Sequence, residues 1–118
     1  MSYVDGFVLP VPKDKVDAYR KIATLAGQVW KEYGALAYHE CVADDVKPGE
    51  VTSFPQAVNL KPNETVVFAW IVYRSREHRD EVNAKVMNDP RMTSMSPDDM
   101  PVDMKRMIVG GFQSIVEL

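Results

Sequence analysis

Several kinds of chemistry are scarce in this sequence. One cysteine, Cys41, stands among 118 residues, so no internal disulfide can form, a reducing compartment is indicated, and folding has to rest on burial. Basic residues number 14 against 17 acidic, the net charge is −3, and no basic run is longer than a pair such as Lys105 and Arg106. That argues against nucleic acid as a partner, because a phosphate backbone is held by clustered positive charge. The longest apolar run, VVFAWIVY at 66–73, has eight residues, whereas a membrane-spanning helix needs about twenty. The opening MSYVDGFVLPV carries Asp5 early, with neither a basic leader nor an apolar core of signal-peptide length, so a cytoplasmic address is expected. No glycine-rich phosphate loop, nucleophile elbow, C-x-x-C pair or H-E-x-x-H motif occurs, and no internal repeat. Neither a nucleotide cofactor nor a motif-bound metal is expected.

What remains is an ordinary soluble composition, 46% apolar and 26% charged, suited to one domain spanning residues 1–118. Alternation from Tyr3 to Val11 predicts a strand with Tyr3, Asp5, Phe7, Leu9 and Val11 on one face. Pro12 and a cap at Asp14 then open a helix whose apolar positions run from Val16 to Tyr33, and Gly34 ends it. A second strand is expected over 35–43, with Leu36, Tyr38 and Val42 facing one way and His39 and Cys41 the other. The long connection that follows is expected to hold one helical turn capped by Ser53, with Phe54 pinned to the core. Residues 64–73 are apolar on both faces, the mark of a covered central strand. Ser75 caps a second long helix with His78, Val82 and Val86 inward, stopped by Pro90, and a last strand over 105–118 is interrupted by Gly110 and Gly111, a bulge or a close approach.

The order βαββαβ predicts an α+β, ferredoxin-like fold with an antiparallel sheet and both long helices on one face. The other face also carries apolar side chains, among them Val66, Phe68, Trp70 and Val72. A bare apolar face of this size marks an interface, so a homodimer with sheet facing sheet is expected.

The segments YVDGF, GALAYHEC, DDVKPGEVTSF, FAWIVY, NDPRM and above all MPVDMKRMIVGGF resemble the YbaA-like proteins, a bacterial family of unknown function. The resemblance extends from Tyr3 to Phe112 and implies a dimeric α/β barrel. Val102 and Met104 depart from it, standing where an aromatic and a glycine are expected, which touches the fine shape of a pocket rather than the fold. The resemblance transfers no catalytic residue; related barrels include cofactor-independent monooxygenases and small-molecule binders, an analogy of fold alone.

Met87 to Met107 holds six of the seven methionines in the least regular part of the chain. The M-x-x-M pairs Met92/Met95 and Met104/Met107 have a spacing that suits Cu(I), but gap filling by a pliable side chain explains them without a metal. His39 and Cys41 could share a metal only if His78 or an aspartate approached from the second helix; no third ligand stands at a fixed spacing, and no metal is assigned. Asp5 and Glu40 fall within apolar phases of their strands, and a covered acid needs a partner or a shifted pKa. They are the candidate proton acceptors, with Arg106 as the group that would fix an anion; the competing reading is a structural network joining Asp5, Glu40 and Arg106. The expected pocket lies between sheet and helices, walled by Tyr3, Asp5, Glu40, Trp70, Met100, Met104 and Arg106, with the residues after Pro90 as its lid. A small apolar or aromatic ligand, bound or transformed without a cofactor, is the expected function. The alternative is a non-catalytic interaction or stress-related protein acting through its dimer surface.

Overall fold

The alternation near the N-terminus becomes β1 (Tyr3–Pro12), and the doubly apolar segment becomes β3 (Glu64–Tyr73). The computed structural model describes residues 1–118, the side chain of Pro97 excepted. β1 and β3 pair antiparallel along their whole length, from Tyr3 opposite Tyr73 to Pro12 opposite Glu64. β2 (Ala37–Val42) joins the far edge of β3 and β4 (Ile108–Gln113) the far edge of β1, so the sheet order is β2-β3-β1-β4. Every neighbouring pair is antiparallel, which makes the fold ferredoxin-like. Pro10 and Pro12 are tolerated in β1 because pairing with β4 ends at Val8 opposite Ile108, so β1 is an edge where the prolines lie.

α1 (Val16–Glu32) follows a 3-10 turn over Lys13–Lys15, and no side chain caps it; the expected cap, Asp14, sits inside that turn. Its other end is as expected. Gly34 takes φ +115°, its N–H donates to Lys31 O at 3.1 Å, and the Ala35 N–H donates to Trp30 O at 3.0 Å, a Schellman closure that a side chain at position 34 would strain. α2 (Phe54–Ala57) is the single turn capped by Ser53. Phe54 does not reach the core: it lies edge-on to Phe68 on the open sheet face, 49% exposed, and buried Val58 anchors the turn instead. α3 (Arg76–Met87) is capped by Ser75 and buries His78, Val82 and Val86. It ends before Pro90, which opens the next turn, α4 (Pro90–Thr93), with Asp89 as cap. β4 is shorter than expected because Met104–Arg106 forms a 3-10 turn. Its register runs unbroken through Gly110 and Gly111, so the glycines mark close approach rather than a bulge: a Cβ on Gly111 would strike the Tyr3 ring.

The buried core falls into two clusters. One joins Val29, Ala35, Ile71, Tyr73, Val82 and Val86 under α1 and α3; the other joins Leu9, Val11, Tyr19, Ala23 and Val67 at the opposite end of the sheet. No helix among the described residues is long and apolar enough to cross a membrane.

Candidate functional site: a methionine-roofed cavity

Between the two core clusters lies a cavity of about 690 Å³. Its floor is two cross-strand rows of the covered sheet face. One row runs Glu40, Ala69, Phe7, Val109, and the next Tyr38, Ile71, Asp5, Gly111. Small residues hollow it: Ala69 and Gly111 in the floor face Ala23 and Ala26 of α1, and side chains of this size leave space that neighbours would otherwise fill. The roof is the segment after α3. Met92, Met95, Met100, Met104 and Met107 of this segment line the cavity together with Met87 at the end of α3, so every methionine except Met1 borders it. The M-x-x-M pairs belong to this roof. A thioether on an unbranched stem packs against varied shapes, a property suited to a roof built from turns rather than from a regular element.

Two polar clusters interrupt the apolar lining. On the β2 side, the Tyr19 and Tyr38 hydroxyls donate to Glu40 Oε1 and Oε2 at 2.6 and 2.5 Å. Burial, and next the Glu40 charge, push both phenols far above the ordinary tyrosine value, so they remain donors. Tyr38 reaches this position because Gly27 of α1 has no side chain; a Cβ there would lie 2.7 Å from the Tyr38 ring. A shallower groove of about 500 Å³ between α1 and the β2 edge shares Tyr19, Ala23, Tyr38 and Glu40 with the cavity, so this cluster is the partition between them.

On the α3 side, buried Asp5 accepts from Arg79 Nη1 at 2.7 Å, Arg79 Nε donates to Asp80 at 2.8 Å, and the guanidinium lies 4.9 Å over the Tyr3 ring. One turn along, Asn83 Oδ1 accepts from Trp30 Nε1 at 3.0 Å and from the Tyr73 hydroxyl at 3.1 Å. Burial and then the Asp5 charge push the Tyr73 phenol upward. Every covered acid at the cavity is thus already hydrogen-bonded.

The structure distributes the expected site residues unevenly. Asp5, Glu40, Met100 and Met104 line the cavity, and Tyr3 stands behind it, packed on Arg79 and Gly111. Trp70 does not: neighbours along a strand point to opposite faces, so with Ala69 and Ile71 in the floor, Trp70 lies on the open face, stacked on His39 at 4.8 Å. Arg106 also misses it. Its guanidinium is held by Glu64 at 2.7 Å through each of two nitrogens, by Asp103 at 2.9 Å, and by the carbonyl of Asn59 at 3.0 Å. It therefore joins neither Asp5 nor Glu40, which take different partners at separate ends of the cavity. His39 and His78 lie on opposite sides of the sheet, and among the described residues no three His, Cys, Asp or Glu side chains cluster as a metal site would need. The residues that sequence reasoning missed are Tyr19, Trp30, Arg79 and Asn83. A signal existed for two of them: Arg79, Asn83 and Met87 repeat every fourth residue, one position beyond the inward stripe His78, Val82, Val86.

A family model described as a protein of unknown function, DUF1428, matches residues 2–104. The chain belongs to this family. This DUF1428 chain is 55% identical over 117 residues to the uncharacterized protein YbaA of Escherichia coli K12, covering 99% of each, in agreement with the resemblance read from the motifs. It is similar in structure to a dimeric ferredoxin-like protein from an uncultured marine organism, with a TM-score of 0.59 at 12% identity and full coverage of both chains. It is also similar to a Nitrosomonas europaea protein assigned to antibiotic biosynthesis monooxygenases, with a TM-score of 0.53 at 13% identity, covering 97% of this chain and 90% of that one. At such identities the structural likenesses establish the DUF1428 fold and nothing finer.

Proposed function

We propose that this one-domain protein is a cytoplasmic homodimer that binds a small, mainly apolar or aromatic molecule in the methionine-roofed cavity, with no cofactor required. The observation that carries the reading is the cavity itself. A space of about 690 Å³ bordered by aliphatic, aromatic and thioether groups, with two small polar clusters, has the size and lining of a ligand site rather than a packing defect. The assignment of the Nitrosomonas neighbour is in keeping with small-molecule chemistry in this fold. Binding is better supported than transformation, because the candidate proton acceptors already hold partners, Glu40 through both oxygens from Tyr19 and Tyr38, and Asp5 through Oδ1 from Arg79. Ala69→Leu tests the reading by filling the floor. It should abolish the thermal shift given by aromatic ligands while leaving the unliganded melting temperature unchanged or raised; a shift that survives it places binding elsewhere.

A second reading concerns the open sheet face, where Phe68, Ile108 and Phe112 are 43%, 45% and 64% exposed. The Phe112 ring lies over the cross-strand pair Gly6 and Gly110, which leaves a broad apolar surface on the backbone beneath. A second copy covering this face accounts for it, and the ferredoxin-like neighbour is itself described as dimeric. Phe112→Asp should shift sedimentation from dimer to monomer. A wild-type chain that sediments as a monomer at micromolar concentration would remove the homodimer and favour an unrelated partner on that face.

A further inference from the structure

We infer that Arg79 and Asn83 form a donor subsite for a neutral carbonyl oxygen, so that the occupant of the cavity is an apolar ketone, aldehyde or quinone rather than an acid. This rests on the reading of the cavity as a ligand site and adds the class of ligand.

The argument begins with hydrogen-bonding capacity left over. An indole N–H can only donate, so Trp30 fixes the carboxamide of Asn83 with its oxygen toward the indole, and the Tyr73 hydroxyl donates to the same oxygen. Asn83 Nδ2 is thereby turned away from both, and it has no acceptor among the described residues. Arg79 spends Nη1 on Asp5 and Nε on Asp80, and its Nη2 likewise has no acceptor among them. Both residues line the cavity from one face of α3, one turn apart. N–H donors left over on two residues that line an otherwise apolar space are satisfied by water without a ligand and by a ligand oxygen with one.

Charge selects the kind of oxygen. The ionisable acids and bases lining the cavity are Asp5, Glu40 and Arg79, two acids against one base, and exposed Asp80 draws further on the guanidinium. A carboxylate would bring another negative charge beside two acids in a poorly solvated site, without a free cation to meet it. A carbonyl accepts the same hydrogen bonds without that charge. Across the floor, the hydroxyls of Tyr19 and Tyr38 are committed as donors to Glu40, so that end offers a ligand only lone pairs. Strands about 4.8 Å apart put the backbones of Asp5 and Tyr38 about 9–10 Å from each other across Ile71, room for a fused-ring body between the two polar ends.

The test is a matched series on the full-length protein, measured by calorimetric titration: acetylnaphthalene, ethylnaphthalene and naphthoate, which share a ring system and differ in the acceptor. Acetylnaphthalene should bind about tenfold tighter than ethylnaphthalene, as two hydrogen bonds imply, and naphthoate weakest. Asn83→Asp keeps the acceptor for Trp30 and Tyr73 but loses the donor. Arg79→Lys keeps a cation beside Asp5 but loses Nη2. Each should cut the preference for acetylnaphthalene over ethylnaphthalene from about tenfold to about threefold and leave ethylnaphthalene unchanged, with circular dichroism confirming the fold. Equal binding of ketone and hydrocarbon, tightest binding of naphthoate, or an equal loss for both neutral ligands in the variants would overturn the subsite while the cavity reading stands. Binding of none of the three, in wild type and Ala69→Leu alike, would overturn both.

Discussion

Arg79 and Arg106 each clasp a buried carboxylate at 2.7 Å, Asp5 and Glu64, with acid side chains only 5% and 7% exposed, yet the two sites do different work. Arg106 uses all of its nitrogens: both Nη atoms hold Glu64, Nη1 also meets the carbonyls of Val58 and Asn59, and Nε holds Asp103. It ties the end of the methionine segment to the loop before β3, and nothing is left to offer a ligand. Arg79 is held by fewer bonds, is covered by Tyr3, and keeps a nitrogen unused beside a cavity. Burial and pairing are therefore poor guides to function by themselves. The informative quantity is the hydrogen-bonding capacity that remains after the protein has satisfied its own groups.

The sharpest way to break this comparison is to remove each arginine in turn. Arg106→Met should cost about 3–5 kcal/mol in urea unfolding, because it strands the Glu64 carboxylate and two backbone carbonyls. The pH dependence should change with it. Hydrogen bonds from Arg106 hold the Glu64 carboxyl below the ordinary glutamate value, against the opposing effect of burial. A depressed carboxyl gives stability that is complete above the unfolded value of 4.5 and is lost as pH falls below it, so the variant should show a flatter acid limb than the wild type. An unchanged limb would mean that Glu64 is not the group concerned.

A smaller loss is expected from Arg79→Met, about 3 kcal/mol for one stranded acid, with weaker binding of a carbonyl ligand as well. Matching losses of stability in the two variants, with ligand binding intact, would erase the distinction drawn between the sites. The smallest effect should come from the partition. Tyr19→Phe removes one of two hydroxyls on Glu40 and should cost about 0.5–1.5 kcal/mol by the same unfolding measurement, since Tyr38 continues to donate. A loss as large as that of Arg106→Met would show this cluster to be a structural lock of the same kind.

Much of the fold was legible because its signals are local. Period-two alternation marked β1, a run apolar on both faces marked β3, Ser53 and Ser75 announced their helices, and Gly34 ended α1, each through a few consecutive residues. The limits of β4 were less legible: Asp103 caps the turn over Met104–Arg106 by accepting from the Lys105 N–H, a signal one residue long, and distant Glu64 then draws the guanidinium inward.

The site divides along the same line. That Asp5 and Glu40 face covered surface follows from strand alternation, and that the methionines serve an irregular wall follows from their flexibility; residue order alone determines both. Which cation meets Asp5 was settled only when α3 packed across β1, bringing together residues 74 apart in the chain and sending Arg106 to Glu64 instead. Alternation put Trp70 on the face opposite Ala69 and Ile71, and only the packing of the helices over the latter made Trp70's face the open one. Local sequence fixes the face on which a side chain emerges, because backbone geometry is periodic. The partners it finds there, and the bonds it has left to give, depend on distances between elements, and only the folded chain sets those.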